Sequence, residues 1–245
     1  LRITSASDDA AGLAIADLLR RDSRIAGVAI RNANDGVSLI SIADGALEQI
    51  GNVLARMAEL AEQSANGTIA DSQRTAISDE FVALGSEIER IANSTEFNSL
   101  SLLGSATSTF TLQIGLDATS NSQISFSSVS GTVEALGIGN SSSQLTVSVG
   151  TATGAQAALT SVRAAVSSLT ANRGTLGAVE SRLNTAIANL QTSRENFISA
   201  ESQIRDVDVA SEAAELTRLS ILQQAGAAIL AQANQQPGLA LALIG

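Results

Sequence analysis

The sequence lacks several residue types that enzymes often use. Its 245 residues include no Cys, His, Trp or Tyr, and only one Met and one Pro. Without Cys or His, the chain cannot supply a thiolate nucleophile, a disulfide, a Ser-His-Asp triad or an ordinary zinc or haem site. Carboxylates and hydroxyls are the remaining groups for catalysis.

Aromatic residues are also scarce. They make up 2% of the chain and all are Phe, whereas hydrophobic residues reach 44% and the mean hydropathy is +0.22. This composition is too apolar for a disordered chain. We therefore expect a folded protein with a core of Leu, Ile, Val and Ala, a composition typical of thin helical cores.

Basic residues are fewer than acidic residues. Arg provides all 14 positive charges against 24 acidic residues, which gives a net charge of -10. Because the longest basic cluster is Arg20-Arg21, nucleic acid and anionic membranes are not expected partners. No apolar run approaches the roughly 20 residues that span a bilayer. The chain starts at Leu1 without a secretion-signal pattern, so we expect its N-terminus to be incomplete.

Two long stretches in the first half have apolar residues at alternating steps of three and four, the pattern of a helical seam. The first covers residues 33–63, and Asn66-Gly67-Thr68 ends it because Asn and Gly tolerate the left-handed conformation. The second starts near Asp71 and ends at residues 93–95. A short turn joins the two helices, which predicts antiparallel packing.

Residues 107–149 are rich in Ser, Thr and Gly and alternate apolar with polar positions. Strands are predicted around Phe110 and around Phe126, and the turn formers in 116–123 predict a hairpin between them. A further alternation follows at Leu145, Val147 and Val149.

Helical periodicity resumes over residues 155–197. Gly174 and Gly177 interrupt this third helix, which predicts a local bend or close packing. A last amphipathic helix is predicted over residues 208–234, and Pro237 should stop it. Its apolar face has no evident partner in the chain, so it needs another molecule or a missing segment. The predicted self-assembly residues on this face are Leu216, Leu219, Leu222, Ile229 and Leu230.

Paired carboxylates are the remaining candidates for chemistry. Asp8-Asp9 and Asp206 with Asp208 could in principle perform acid–base chemistry or bind a hard cation, but helix capping is the favoured interpretation. The segment 117–121 lacks the ligands of a calcium loop and is assigned to a turn. We assign no catalytic, cofactor-binding or metal-binding residue.

Several blocks along the chain match a known family in the right order. Together they resemble bacterial flagellin, the subunit of the flagellar filament. The blocks are Leu1-Arg2-Ile3, Asp8-Asp9-Ala10-Ala11-Gly12, Arg31-Asn32-Ala33-Asn34-Asp35-Gly36, Glu96-Phe97-Asn98, Phe110-Thr111-Leu112-Gln113-Ile114-Gly115, Ile221-Leu222-Gln223-Gln224-Ala225-Gly226 and Leu230-Ala231-Gln232-Ala233-Asn234-Gln235.

The resemblance implies a mainly α fold: an elongated antiparallel helical bundle with long coiled-coil-like rods and a small β-hairpin region. It divides the chain into N-terminal core helices (1–105), a hairpin region with a vestigial variable segment (106–154), a C-terminal core helix (155–204) and a C-terminal terminal-domain helix (205–245). In flagellins an N-terminal helix pairs with that last helix. We expect this chain to lack that partner and to carry almost no outer domain.

The implied function is structural and not enzymatic. A flagellin polymerises with itself into an extracellular filament for motility after export by the flagellar type III apparatus. Its implied partners are other copies, that apparatus, a secretion chaperone, and filament cap and junction proteins, with no cofactor. Long rods that contact each other head to tail without closing a ring suit such a polymer. A hook–filament junction protein and a helical cell-surface adhesin or ligand-binding protein remain alternatives.

The resemblance also implies a surface for the innate receptor Toll-like receptor 5. Arg56, Leu60 and Glu80 lie at matching positions, and Arg56 and Leu60 are four apart on one helical face. The alternative is structural: Arg56 forms an ordinary ion pair with Glu59 or Glu80, and Leu60 belongs to a packing interface.

Overall fold

The computed structural model describes residues 1–105 and 108–244 and is mainly helical, as the sequence predicts. Four long helices account for most of it, and the strands form two small antiparallel pairs. In chain order the elements are α1 (Ala10–Ala65), α2 (Asp71–Ser94), β1 (Glu96–Phe97), β2 (Leu100–Ser101), β3 (Thr109–Gln113), a 3-10 turn (Ser120–Ser122), β4 (Gln123–Ser127), α3 (Ala152–Arg205) and α4 (Val209–Ile244).

The chain divides into two compact units. Unit 1 contains Leu1–Arg21 and the described residues from Asn196 onward, and unit 2 contains Asp22–Glu195. Both α1 and α3 contribute to each unit. The four-segment division expected from the sequence stays a prediction.

The core of unit 2 lies where α1, α2 and α3 pack together. A Cβ on Gly36 of α1 would lie 3.2 Å from Leu183 of α3, and one on Gly51 would lie 3.2 Å from Leu169. Later residues of α1 therefore lie beside earlier residues of α3, so the two helices are antiparallel. The largest fully buried side chains of these helices are Ile40, Leu47, Ile50, Leu54, Met57, Leu60, Phe81, Ile88 and Leu183.

Helix α1 begins at Ala10, well before the predicted start at residue 33. The earlier buried positions are small: Ala16, Ala26 and Ala29 are all at most 3% exposed. Ala forms helices readily but contributes little hydropathy, so a search for large apolar residues misses this part of the helix. Asp9 caps the new start, since its Oδ1 accepts hydrogen bonds from the backbone N–H of Ala11 and Gly12 at 3.0 and 2.9 Å.

The predicted helix α2 and the predicted β3–β4 hairpin are both confirmed. Phe110 faces Phe126 across the hairpin with ring centroids 5.4 Å apart. The connecting turn is organised by Asp117, whose Oδ1 accepts from the backbone N–H and hydroxyl of Thr119 at 3.1 and 2.8 Å. A hydrogen bond from the Ser122 hydroxyl, the largest cause, and these bonds from Thr119 lower the pKa of Asp117. The turn assignment of this segment is correct.

The structure contains a second hairpin that the alternation pattern does not indicate, and the alternation at Leu145 does not form a strand. The β1–β2 hairpin turns through Asn98 and Ser99, which have φ of 51° and 63° and so form the left-handed pair that a tight hairpin requires. Leu145 forms no strand, only an isolated bridge with Gly139. Its side chain packs on α2 instead, where a Cβ on Gly85 would lie 2.5 Å from it.

The predicted stop at Pro237 is wrong, and the glycines of α3 are not points of close packing. Helix α3 continues through Gly174 and Gly177, and a Cβ at either would meet no atom of the described residues within 4 Å. A bend at these glycines stays a prediction. The backbone of α4 remains helical through Pro237 to Ile244. A proline removes one helical hydrogen bond and can bend a helix without ending it.

Arg74 ties α2 to the end of α1. It is 7% exposed, and its Nε and Nη2 donate to the carbonyl oxygens of Ser64 and Asn66, each at 3.0 Å. Its Nη1 pairs with exposed Asp71 at 2.9 Å. A cation here satisfies carbonyls that a helix end leaves open and opposes the helix dipole. Asn66 and Gly67 adopt no left-handed conformation, so the expected cause of the end of α1 is wrong. The Arg74 contacts satisfy the end of this helix instead.

Replacing Arg74 should destabilise unit 2. Arg74→Ala leaves two carbonyl oxygens without their donor, and we expect a loss of about 1–3 kcal/mol in the free energy of unfolding. Urea denaturation followed by circular dichroism measures it. The control is Arg90→Ala, which removes an exposed pair with Glu87 inside α2 and should have little effect. Equal effects of the two variants would contradict the role given to Arg74.

Arg173 of α3 forms a two-pronged ion pair with Asp44 of α1. Its Nε and Nη2 lie 2.7 and 2.8 Å from the two carboxylate oxygens. These hydrogen bonds lower the pKa of Asp44 despite its partial desolvation. Because the folded-state pKa is the lower one, the pair stabilises the fold above the unfolded-state pKa. That contribution disappears as the pH falls through the folded-state pKa.

The Asp44 pair should therefore make stability depend on acid. The difference in unfolding free energy between the wild type and Asp44→Asn should shrink as the pH is lowered through the acidic range, because protonated Asp44 no longer attracts Arg173. In an Arg173→Gln background, Asp44→Asn should lose most of this pH dependence. An undiminished pH dependence in that background would assign the effect to another group.

Candidate assembly and receptor-binding surfaces

Helix α4 carries the predicted self-assembly residues, and they are exposed. Asp208 caps this helix, since its Oδ1 accepts from the backbone N–H of Ala210 and Ser211 at 2.9 and 3.3 Å. Within 209–234 every residue except half-buried Gly226 is exposed. The five predicted residues are between 52% and 71% exposed: Leu216, Leu219, Leu222, Ile229 and Leu230.

The apolar surface of α4 is wider than one seam. At 100° per residue the five predicted residues fall within a sector of about 140°. Ile221 lies outside that sector and is 60% exposed. The helix is therefore less amphipathic than predicted, because apolar side chains also occur on a second side. Helices that are apolar around most of their circumference are normally covered on several sides.

Hydrogen bonds and ion pairs that no local sequence pattern indicates hold together the other segments of unit 1. Arg20 pairs with Glu201 at 2.8 Å, and Arg205 lies 3.6 Å from the same carboxylate. The backbone N–H of Arg2 donates to the Arg205 carbonyl at 2.6 Å. These contacts join the start of the chain and α1 to the end of α3, whereas the apolar side chains of α4 remain exposed.

Two of the three proposed receptor residues, Arg56 and Glu80, are exposed on α1 and α2, whereas Leu60 is buried. Arg56 Nε and Nη2 donate to one Glu80 oxygen at 3.0 and 2.9 Å, and Nη1 donates to Glu59 at 2.9 Å. The bonds with Glu59 and Glu80 raise the pKa of Arg56. Leu60 is only 1% exposed and belongs to the core. The expected common face therefore separates into an exposed ion pair and a buried leucine beneath it.

This exposed pair borders a shallow groove between α1 and α2. Gly45, Asn52 and Arg56 line it from α1, and Leu84 and Arg90 line it from α2. The groove offers both charged and apolar contacts to a partner. The structural alternative for Arg56 and Leu60 is correct as a description of their contacts, and it leaves the exposed charges available.

The other acidic candidates have structural contacts. Asp9 and Asp208 cap helices, as described above, and the carboxylate of Asp8 accepts from the backbone N–H of Thr4 and Ser5 at 3.0 Å. These bonds lower the pKa of Asp8, with the Thr4 bond the largest cause. Asp206 accepts from the Ser202 hydroxyl at 2.7 Å. The capping interpretation is confirmed for Asp9 and Asp208.

Within residues 1–105 and 108–244, no helix has both the length and the apolarity that crossing a membrane requires.

Comparison with known families matches both ends of the chain. Residues 1–108 match the bacterial flagellin N-terminal helical region, and residues 159–244 match the bacterial flagellin C-terminal helical region. A flagellin from Halalkalibacterium halodurans is 42% identical over 244 residues, an alignment that covers 100% of this chain and 88% of the relative.

Solved structures agree on the fold. A Bacillus cereus flagellin superposes with a TM-score of 0.56 at 27% identity, covering 65% of this chain and 88% of that one. A putative flagellar hook-associated protein from Vibrio parahaemolyticus superposes with a TM-score of 0.65, covering 83% of this chain and 100% of that one, but at 14% identity. The second likeness shows a shared fold alone, whereas the sequence matches are to flagellins. The chain therefore belongs to the bacterial flagellin family, whose members are the structural subunits of the flagellar filament.

Proposed function

We propose that this chain polymerises with copies of itself into the filament through the apolar side chains of α4. The observation that carries the proposal is the exposure of Leu216, Leu219, Leu222, Ile229 and Leu230 in one sector of that helix. Burying one such side chain contributes about 1.5–3 kcal/mol. Several together are comparable with the roughly 4–15 kcal/mol that association costs in lost freedom.

Assembly would cover α4 on more than one side and leave the side opposite the five-residue sector open. Ile221 extends the apolar surface beyond the five-residue sector, so a single partner helix would leave part of it in water. Contacts that repeat without closing a ring generate a helical polymer, in which one helix can meet several neighbours. Such a layer of helices is the environment in which an otherwise unpacked α4 becomes stable.

The remaining partners and the extracellular location follow from the family. We expect export by the flagellar type III apparatus, and contacts with the filament cap and junction proteins. A secretion chaperone would need to cover exposed apolar surface before assembly, and α4 is the segment that offers it.

Polar substitutions in the α4 sector should block polymerisation. Leu219→Asn combined with Ile229→Asn places two amides where apolar burial is needed, so elongation from short filament seeds should fall at least about tenfold. Sedimentation and electron microscopy measure it. Thermal unfolding of the monomer should hardly change, because both side chains are exposed before assembly.

Thr217→Asn is the matched control. Thr217 lies on the side of α4 opposite the sector, and its hydroxyl donates to the Ala213 carbonyl at 2.8 Å. The control should elongate seeds nearly as well as the wild type. Normal filaments from the Leu219/Ile229 double variant would overturn the assignment of α4 as an assembly surface.

The second proposed surface is the Arg56–Glu80 pair, which Toll-like receptor 5 would contact on the free monomer. Its support is the family resemblance together with the exposure of both charges beside the α1–α2 groove. Buried Leu60 would contribute indirectly, because its packing in the core holds this part of α1 in place.

Removing either charge should weaken receptor signalling by the monomer. Arg56→Ala and Glu80→Ala each remove a group that the receptor would contact, and exposed pairs contribute little to stability. A cell-based reporter measures potency. In the exchange variant, Arg56→Glu with Glu80→Arg, the two residues can still pair with each other, yet signalling should not recover because each charge faces the wrong receptor group. Wild-type potency in all three variants would contradict the assignment of Arg56 and Glu80 as receptor contacts.

A further inference from the structure

The turn between α1 and α2 contains the chain's one Asn-Gly dipeptide, Asn66-Gly67. Both residues are exposed. Among the described residues outside Gly67 and its two chain neighbours, none has an atom within 4 Å of a Cβ placed on Gly67, so the turn is open to solvent on that side. No described residue accepts a hydrogen bond from its N–H.

The side chain of Asn66 is held across this turn. Its Oδ1 accepts a hydrogen bond from the backbone N–H of Thr68 at 3.1 Å, which closes an Asx turn. The Gly67 nitrogen is bonded to the Asn66 carbonyl carbon, so its attack on the side-chain amide carbon, Cγ, closes a five-membered ring. The Thr68 N–H is a donor on the oxygen that gains negative charge during that attack, as in an oxyanion hole.

We propose that Asn66 is a site of spontaneous deamidation, a covalent modification built into the α1–α2 turn. The Gly67 nitrogen attacks Asn66 Cγ, the Cγ–Nδ2 bond breaks, and the proton from the Gly67 N–H leaves with the amine as ammonia. The product is a five-membered succinimide. Gly favours this step because no side chain shields its nitrogen and its backbone is the least restricted.

Water then opens the ring in one of two ways. Cleavage of the bond between Cγ and the Gly67 nitrogen leaves Asp at position 66. Cleavage of the other imide bond leaves isoaspartate, in which the chain continues through Cγ and the former backbone carbonyl becomes a carboxylate. No oxidant, reductant or enzyme is required, because water is the only co-reactant.

Deamidation of Asn66 would change the charge in its immediate surroundings. Arg74 Nη2 donates to the Asn66 carbonyl oxygen at 3.0 Å, and in isoaspartate this oxygen belongs to the new carboxylate. Arg74 would then meet a carboxylate in place of a neutral carbonyl. Either product adds a negative charge to a groove that Glu59 and Glu62 also line, at the end of unit 2 that presents α1, the turn and α3 together.

The chain supplies an internal control in Asn140. Its Oδ1 accepts hydrogen bonds from the backbone N–H of Ser142 and Gln144 at 3.0 and 3.1 Å, so its side chain is held in a similar way. It is followed by Ser141 and not by Gly. The two sites therefore separate the effect of the glycine from that of the held side chain.

The test is peptide mapping of the folded protein after incubation at mildly alkaline pH. Cleavage after Arg releases residues 57–74, a peptide whose one Asn is Asn66, while Asn140 falls in residues 91–163. Mass spectrometry detects the change from amide to acid, and fragmentation distinguishes Asp from isoaspartate. We expect conversion at Asn66 at least about tenfold faster than at Asn140.

Gly67→Ala is the matched variant. The added Cβ meets open space and Gly67 is not left-handed, so thermal unfolding should be unchanged while conversion slows by about tenfold. Conversion of this variant at the wild-type rate would overturn the proposal. So would an unmodified 57–74 peptide, or a rate in the folded protein more than about tenfold below that of the urea-unfolded chain, because the turn would then protect Asn66.

Discussion

Burial of the apolar seam of α1 is the interaction on which the rest of unit 2 depends. Ile40, Leu47, Ile50 and Leu54 are fully buried, and α2 and α3 pack against this helix from different sides. With so few aromatic residues, the core must gain its stability from many small aliphatic contacts along a long line. The helices are long for that reason, because a thin core can only grow in area by growing in length.

Polar contacts fix how the helices are placed once the seam is buried. Apolar packing is non-directional, so it tolerates sliding of one helix along another. The Asp44–Arg173 pair and the Arg74 contacts with the end of α1 each have one good geometry, which selects a register. In unit 1 the corresponding role falls to Arg20 with Glu201, where the buried apolar residues are few and small.

Helix α4 differs from the other long helices because its apolar residues are exposed. Its apolar residues face water in the isolated chain, so its stability depends on capping by Asp208 and on pairs such as Glu215 with Arg218. Those contacts contribute little beside burial. Under the proposed assembly, such a helix would gain most of its stabilising contacts within the polymer.

Elements with a strong local pattern could be predicted from the amino-acid sequence. Periodicities near 3.6 and 2 identified α2, the later part of α1 and the β3–β4 hairpin, and the unpartnered apolar residues of α4 were also evident. Which face of each element is covered depends on the tertiary packing: Leu60 lies in the core although Arg56, one turn away, is exposed, and Leu145 packs on Gly85 without forming a strand. The contacts of Arg74 with the end of α1 also could not be predicted from the sequence. Periodicity depends on neighbours in the chain, whereas burial and pairing depend on residues brought together from distant parts of it.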